Sequence, residues 1–297
     1  AKGKARVLYS QGCHLHKDRL SNLALPEDRM AEAVAAAEAA DAVILCLGLD
    51  ASIEGEEGDT GNQYFSGDKA DLELPLSQRK LLDAVLKTGK PVVTLVAAGS
   101  ALRVEDGNAI LLAWYPGQAG GTAAADILFG KVSPSGRLPV TFYHSVAEPP
   151  EFTDYRMAGR TYRYFAGTPL YPFGYGLSYT RFVYESAKME GETLTVTLRN
   201  AGETDADEVV QAYIHADASP FATLNPRLCA FCRVQMAAGE RKTVSLQLPK
   251  ESFAVVNDAG QQISGGNSFT LSVGGSQNDA RRVALTASAP LVMKINR

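Results

Sequence analysis

Around residues 145–180 the spacing of apolar residues changes from one rule to another, and no single layered fold accommodates both. Ahead of the change, short apolar runs of strand length alternate with stretches of helical character. The runs are VILCLGL (43–49), VVTLVAA (92–98) and AILLAWY (109–115). Between and before them lie PEDRMAEAVAAAEAA (26–40), with Pro near its start and acids in its first turn, and a stretch opened by Ser77 as N-cap. That second stretch carries Leu81, Leu82, Val85 and Leu86 on one face and ends at Gly89. TAAADILF (122–129), closed by Gly130, completes the series. Strands that are apolar on both faces and joined through helices build a parallel sheet, because parallel neighbours need long crossovers and helices cover the faces. Residues 1–145 are therefore expected to be α/β, a mostly parallel sheet in an α/β/α sandwich.

From about residue 181 the period is two. LTVTLRN (194–200), VVQAYIH (209–215), TVSLQL (243–248) and FTLSVGG (269–275) alternate apolar and polar residues, with Gly, Pro, Asn and Asp between them. Short strands with no helix between them predict an all-β immunoglobulin or fibronectin III-like sandwich over 181–297. Residues 146–180 join the two as a connecting segment dense in Pro, Gly and aromatic rings, among them Tyr162, Phe173 and Tyr175. Such a stretch is expected to be an ordered wrap packed on its own rings. The 297 residues exceed what one core usually serves, which agrees with two domains.

Charge and composition remove whole classes of function. With 29 basic and 33 acidic residues spread along the chain and a net charge of -4, there is no basic patch for a phosphate backbone. Nucleic acid is not an expected partner. No apolar run reaches the ~18 residues of a membrane span, and the N-terminus lacks a signal-peptide layout. The mature chain is read as soluble, its compartment open between cytoplasm, periplasm and secretion. It starts without Met and runs at once into a strand-like RVLYS (6–10), so an upstream segment is expected. Cys46, inside an apolar run, reads as a buried thiol; Cys229 and Cys232 have CxxC spacing but no second pair to complete a zinc site, and read as two thiols on a strand. His14, His16, His144 and His215 are scattered and do not form a ligand set. The glycines at 117, 120 and 121 fit neither phosphate-binding pattern and read as a tight turn. Trp114 and Tyr115 read either as core packing or as the border of a ligand site.

The densest chemistry follows the first apolar run: Ile53-Glu54-Gly55-Glu56-Glu57-Gly58-Asp59, then Gly67-Asp68-Lys69 and Leu72-Glu73-Leu74-Pro75. Four carboxylates in six residues repel one another, which suits an exposed acidic tip. Their place just past the carboxyl end of a buried strand suits a ligand site, since open α/β sheets hold ligands there. The loops after residues 49, 98 and 115 are the places to look.

At these residues the chain resembles glycoside hydrolase family 3. VILCLGLDASIEGEEGD and GDKADLELPLSQRKLL are similar to the family's second domain, and the likeness continues through KPVVTLVAAGSAL, AWYPGQAGGTAAADILFGKVSPSGRLPVTF and YPFGYGLSYTRFVY. LRNAGETDADEVVQAYI and GERKTVSLQL extend it into a fibronectin III-like module, so it spans most of residues 5–275. The resemblance implies a retaining exo-β-glycosidase acting on small oligosaccharides or glycosides: β-xylosides, β-glucosides or arabinosides. An Asp nucleophile on a (β/α)8 barrel is paired with an acid/base carboxyl from this acidic loop, and no cofactor is needed. Counting from Gly48 places the acid/base at Glu54, the residue expected to act, with Glu57, favoured by counting back from Gly67-Asp68, and Glu56 as alternatives. The Ile-Glu-Gly-Glu-Glu form is closer to xylosidase-type members. Two departures stand out. Lys69 occupies a position where the family usually has Arg, and neither a barrel nor the opening strand of the second domain is present. The chain alone is then not expected to hydrolyse glycosides, its barrel lying upstream or on a partner chain, with a homo-oligomer possible. The rival reading is a non-catalytic carbohydrate-binding or docking module.

Overall fold

The computed structural model describes residues 5–54 and 69–297. The chain divides into two compact units, Ala1–Leu128 and Phe129–Arg297. The first is α/β with a parallel sheet and the second is a β-sandwich, the order of architectures that the change of period predicts.

In the first unit the order is α1 (Met30–Glu38), β1 (Val43–Gly48), α2 (Leu76–Leu86), β2 (Val92–Ala97), β3 (Ala109–Leu112) and α3 (Gly120–Leu128). The strands form one sheet in the order β1-β2-β3, both pairings parallel, with Val43 beside Val92 and Val93 beside Ala109. Leu45, Leu47 and Leu49 from β1 and its end, Val92 and Val96 from β2, Leu81, Leu82 and Val85 from α2, and Ala37 from α1 share one core. Successive strand residues point to opposite faces, so Ile44 and Cys46 lie on the other side and are exposed. The expectation of a buried Cys46 is corrected by that alternation.

Local details differ where one residue overrides the pattern. The first helix begins at Met30 rather than Pro26, because Glu27 takes a left-handed φ of 58° and its N–H donates to the Asp18 carbonyl at 2.6 Å. Pro75 takes the N-cap position of α2 with φ -50° and ψ 146°, and Ser77 lies inside the helix. Its hydroxyl donates to the His14 carbonyl at 3.0 Å instead of capping. β3 stops at Leu112, and Trp114 has a φ of 52°. The RVLYS stretch forms no strand, and Val7 and Tyr9 are exposed; a lone strand has no partner for its backbone groups.

The second unit carries α4 (Thr161–Tyr164) and then two antiparallel sheets. β4 (Phe182–Glu190), β5 (Thr193–Asn200) and β8 (Arg241–Gln247) pair in the order β4-β5-β8. The other sheet joins β6 (Ala206–Ala216), β7 (Arg227–Met236), β11 (Ser268–Gly274) and β12 (Leu291–Asn296) in the order β12-β11-β6-β7. Leu194, Val196 and Leu198 face Val210, Ala212, Leu271 and Val273 in a shared core, the two-sheet packing of an immunoglobulin-type domain. β9 (Ala254–Val256) and β10 (Gln262–Ser264) form a small hairpin. A helix, α5 (Ala280–Thr286), interrupts what was expected to be strands alone. The Asp279 side chain caps it by accepting from the Arg282 N–H at 2.7 Å.

The aromatic segment packs on this sandwich as well as on itself. Tyr162 stacks on Phe173 with centroids 4.2 Å apart, and both meet the buried Tyr213 of β6 edge-on. Gln211 of β6 donates to the Gly174 and Gly275 carbonyls, and Asn225 donates to those of Tyr162 and Phe165. Arg137 and Glu208 form an ion pair at 3.1 Å, with only 9% and 4% of the side chains exposed.

Candidate active site

The carboxyl end of β1 is held by Gln78 of α2. Its side chain accepts from the Gly48 N–H at 2.8 Å and donates to the Gly48 carbonyl at 2.6 Å, while the Leu49 N–H continues the ladder to Ala97. Gly48 sits so close to β2 that a Cβ would stand 1.8 Å from the Ala97 carbonyl oxygen, at a φ of 145°. Only glycine fits there. Gln78 was not singled out from sequence; a polar residue among the leucines of α2 was the available signal.

Past Leu49 the chain makes a tight turn. The Asp50 carboxylate accepts from the Ser52 N–H and hydroxyl at 2.8 and 2.6 Å, and the Asp50 carbonyl accepts from the N–H groups of Ile53 and Glu54. Ile53 is fully buried in the core of the first unit. Glu54 is thereby turned toward the other strand ends. Its Oε2 accepts from the Gly99 N–H at 2.7 Å and from the Tyr115 hydroxyl; its Oε1 accepts from the Ser100 N–H at 2.9 Å and from the Ser100 hydroxyl. The loops picked out from the sequence after residues 49 and 98 thus meet on one carboxylate, joined there by Tyr115, the last residue of the third apolar run. The part played by Gly99 and Ser100 was not legible, because a Gly-Ser pair after a strand looks like any turn.

Partial burial works to raise the Glu54 pKa, but the hydroxyls of Ser100 and Tyr115 and the two backbone donors outweigh it and hold it below the ordinary 4.5. Tyr115 answers in the opposite sense, pushed up to about 12 by desolvation and by its bond to the carboxylate. Lys69 is half-buried, its Nζ donating to the Glu73 carbonyl and lying 3.5 Å from the Asp71 carboxylate. Burial lowers its pKa, against the pull of Asp71, Glu54 and Glu73. Glu56, Glu57 and Gly67-Asp68 lie outside the described residues.

Elsewhere the other sequence candidates take quieter places. His14 pairs with Asp28 at 3.0 Å and His215 with Asp217 at 3.1 Å. Cys229 and Cys232 both lie on β7; burial pushes the Cys229 thiol up to about 12, far from the thiolate that redox or metal chemistry requires. Among the described residues no three His, Cys, Asp or Glu side chains gather to hold a metal, and no helix is long and apolar enough to cross a membrane.

A parallel α/β unit with a carboxylate tied across its strand ends, followed by a fibronectin-like sandwich, is the C-terminal architecture of a class of β-glycosidases. Residues 5–179 match the glycosyl hydrolase family 3 C-terminal domain and residues 208–277 a fibronectin type III-like domain; the chain belongs to glycoside hydrolase family 3. Among its relatives, a xylan 1,4-β-xylosidase of Xylanibacter ruminicola is 42% identical over 75% of this chain and 27% of its own length. A β-xylosidase of Formosa agariphila is 34% identical over 95% of the chain and 39% of its own. The solved structure of a β-glucosidase from Erythrobacter marinus superimposes on 99% of the chain with a TM-score of 0.81 at 31% identity, using 41% of that protein. The chain thus corresponds to well under half the length of these proteins.

Proposed function

We propose that this chain supplies the general acid/base of a retaining exo-β-glycosidase whose Asp nucleophile lies on a barrel outside it, carried upstream or by a partner chain. The observation that carries this reading is the convergence on Glu54: the segment that opens the acidic loop is pinned where all three strand ends of the parallel sheet meet. Ligands of open α/β sheets bind there. In the first step a carboxylic acid of the loop gives its proton to the glycosidic oxygen while the nucleophile attacks the anomeric carbon, so the alcohol leaves and a glycosyl ester forms. The resulting carboxylate then takes a proton from water, whose oxygen attacks the same carbon, releasing the sugar and restoring both groups. Glu54, Glu56 and Glu57 are the candidate acids. The xylosidases among the relatives, at 42% and 34% identity, and the Ile-Glu-Gly-Glu-Glu form support β-xylosides as the preferred substrates.

The test is turnover of nitrophenyl β-xyloside and β-glucoside by the full-length gene product and, separately, by the 297-residue chain. Hydrolysis by the former with xyloside preferred, and none by the latter, is the expected result. A full-length product that binds sugar without turning it over would replace this reading with a carbohydrate-binding module.

A further inference from the structure

We propose that Glu54 is a positioning residue rather than the proton carrier: its carboxylate is a latch that fixes the start of the acidic loop against the carboxyl ends of β2 and β3. This rests on the reading of that loop as the bearer of the acid/base.

An ionised carboxylate offers about four lone-pair sites, and Glu54 uses four: the Gly99 N–H and Tyr115 hydroxyl on Oε2, the Ser100 N–H and hydroxyl on Oε1. Each oxygen faces a backbone N–H, which cannot turn round to accept. A proton on either oxygen would have to point at Tyr115 or Ser100, and a glycosidic oxygen could reach it only by displacing one of them. The fit is close on the Gly99 side, where a Cβ would stand 2.8 Å from the Tyr115 ring and 3.3 Å from Oε2. From behind, the Asp50 turn and the buried Ile53 hold the same residue. A general acid needs the reverse: an O–H directed at the substrate and a protonated form that survives near neutral pH. What Glu54 has is the geometry of a tie between three loops.

The experiment compares Glu54→Gln, Ser100→Ala and Tyr115→Phe in the full-length gene product, using dinitrophenyl and unactivated glycosides of the same sugar. A dinitrophenolate leaves without protonation, so loss of the acid/base spares kcat/KM for that substrate, lowers kcat/KM for the unactivated one by about 10²–10⁴-fold, removes the basic limb of the pH profile, and leaves a slowed second step that azide speeds. Loss of the latch instead slows both substrates by the same factor, on the order of 10- to 100-fold through misplacement. The basic limb stays and azide does nothing. Ser100→Ala and Tyr115→Phe are expected to move both substrates in the same direction by smaller factors. A Glu54→Gln enzyme that spares the dinitrophenyl substrate and responds to azide overturns the proposal, as does one with unchanged rates. If the wild-type product hydrolyses no glycoside, the catalytic reading fails by itself and melting decides the latch. A double variant of Glu54→Gln with Tyr115→Phe that melts less than additively below wild type supports it, and strict additivity overturns it.

Discussion

Gly48 shows how little freedom single residues have at this strand end. With the Ala97 carbonyl 1.8 Å from where a Cβ would stand, Gly48→Ala must push β1 and β2 apart, and a loss of roughly 3 kcal/mol or more is expected in chemical denaturation. A loss under about 1 kcal/mol would mean that the strands yield easily. The buried Arg137–Glu208 pair sets a second limit. Burial raises the Glu208 pKa against the pull of Arg137, so removing the guanidinium leaves a costly carboxyl behind. Arg137→Met should destabilise by about 3–5 kcal/mol in the same assay. Both partners lie in stretches that resemble the family, SPSGRLPVTF and DEVVQAYI, yet their pairing was not legible: 71 residues separate them and nothing local specifies it. At Glu54 the sequence spoke in residue type and place, giving a carboxylate after a buried strand. It could not give the four donors, since three of them come from a Gly-Ser turn some 45 residues on.

Elements were legible where their period was sustained. The strands read at 194–200, 209–215, 243–248 and 269–275 fall within one to three residues of β5, β6, β8 and β11. Misses occurred where one backbone choice overrode a pattern: Glu27 and Trp114 with positive φ, Pro75 displacing Ser77 from the cap, and Asp279 capping a seven-residue helix inside a β domain. Cys46 was misread because a continuous apolar run does not reveal which face of a strand is covered. The contact between α2 and β1 makes its own prediction. Gln78 is buried and serves both backbone groups of Gly48, so Gln78→Leu keeps the volume but leaves buried polar groups unpaired. A loss of about 1–3 kcal/mol is expected from urea denaturation, and an unchanged midpoint would show that the backbone finds other partners.

Across the whole molecule, pH is the variable that reaches both units. In the sandwich, Asp217 follows β6 and accepts from Thr270 and Lys294 and pairs with His215. Partial burial works to raise its carboxyl, but these partners win and hold it at about 2, below the ordinary 3.8. Because the folded value is depressed, the stabilisation is complete above the ordinary value and is lost as pH falls through the folded one. Melting curves of wild type and Asp217→Asn should therefore differ at pH 6 and converge toward pH 2; a constant gap would contradict the assignment. Glu54 follows the same sign, its latch weakening only below the ordinary glutamate range.

We propose that the loop beginning at Glu54 carries the general acid/base of a family 3 glycosidase. The most direct test is the leaving-group dependence of turnover in Glu54→Gln, Glu56→Gln and Glu57→Gln forms of the full-length product. The prediction is that one variant at position 56 or 57 selectively loses kcat/KM for the unactivated substrate, keeps kcat/KM for the dinitrophenyl one and has a slowed second step that azide speeds, whereas Glu54→Gln lowers kcat/KM for both alike. Three variants that all retain wild-type discrimination and the basic limb of the pH profile would place the acid outside this loop and contradict the claim.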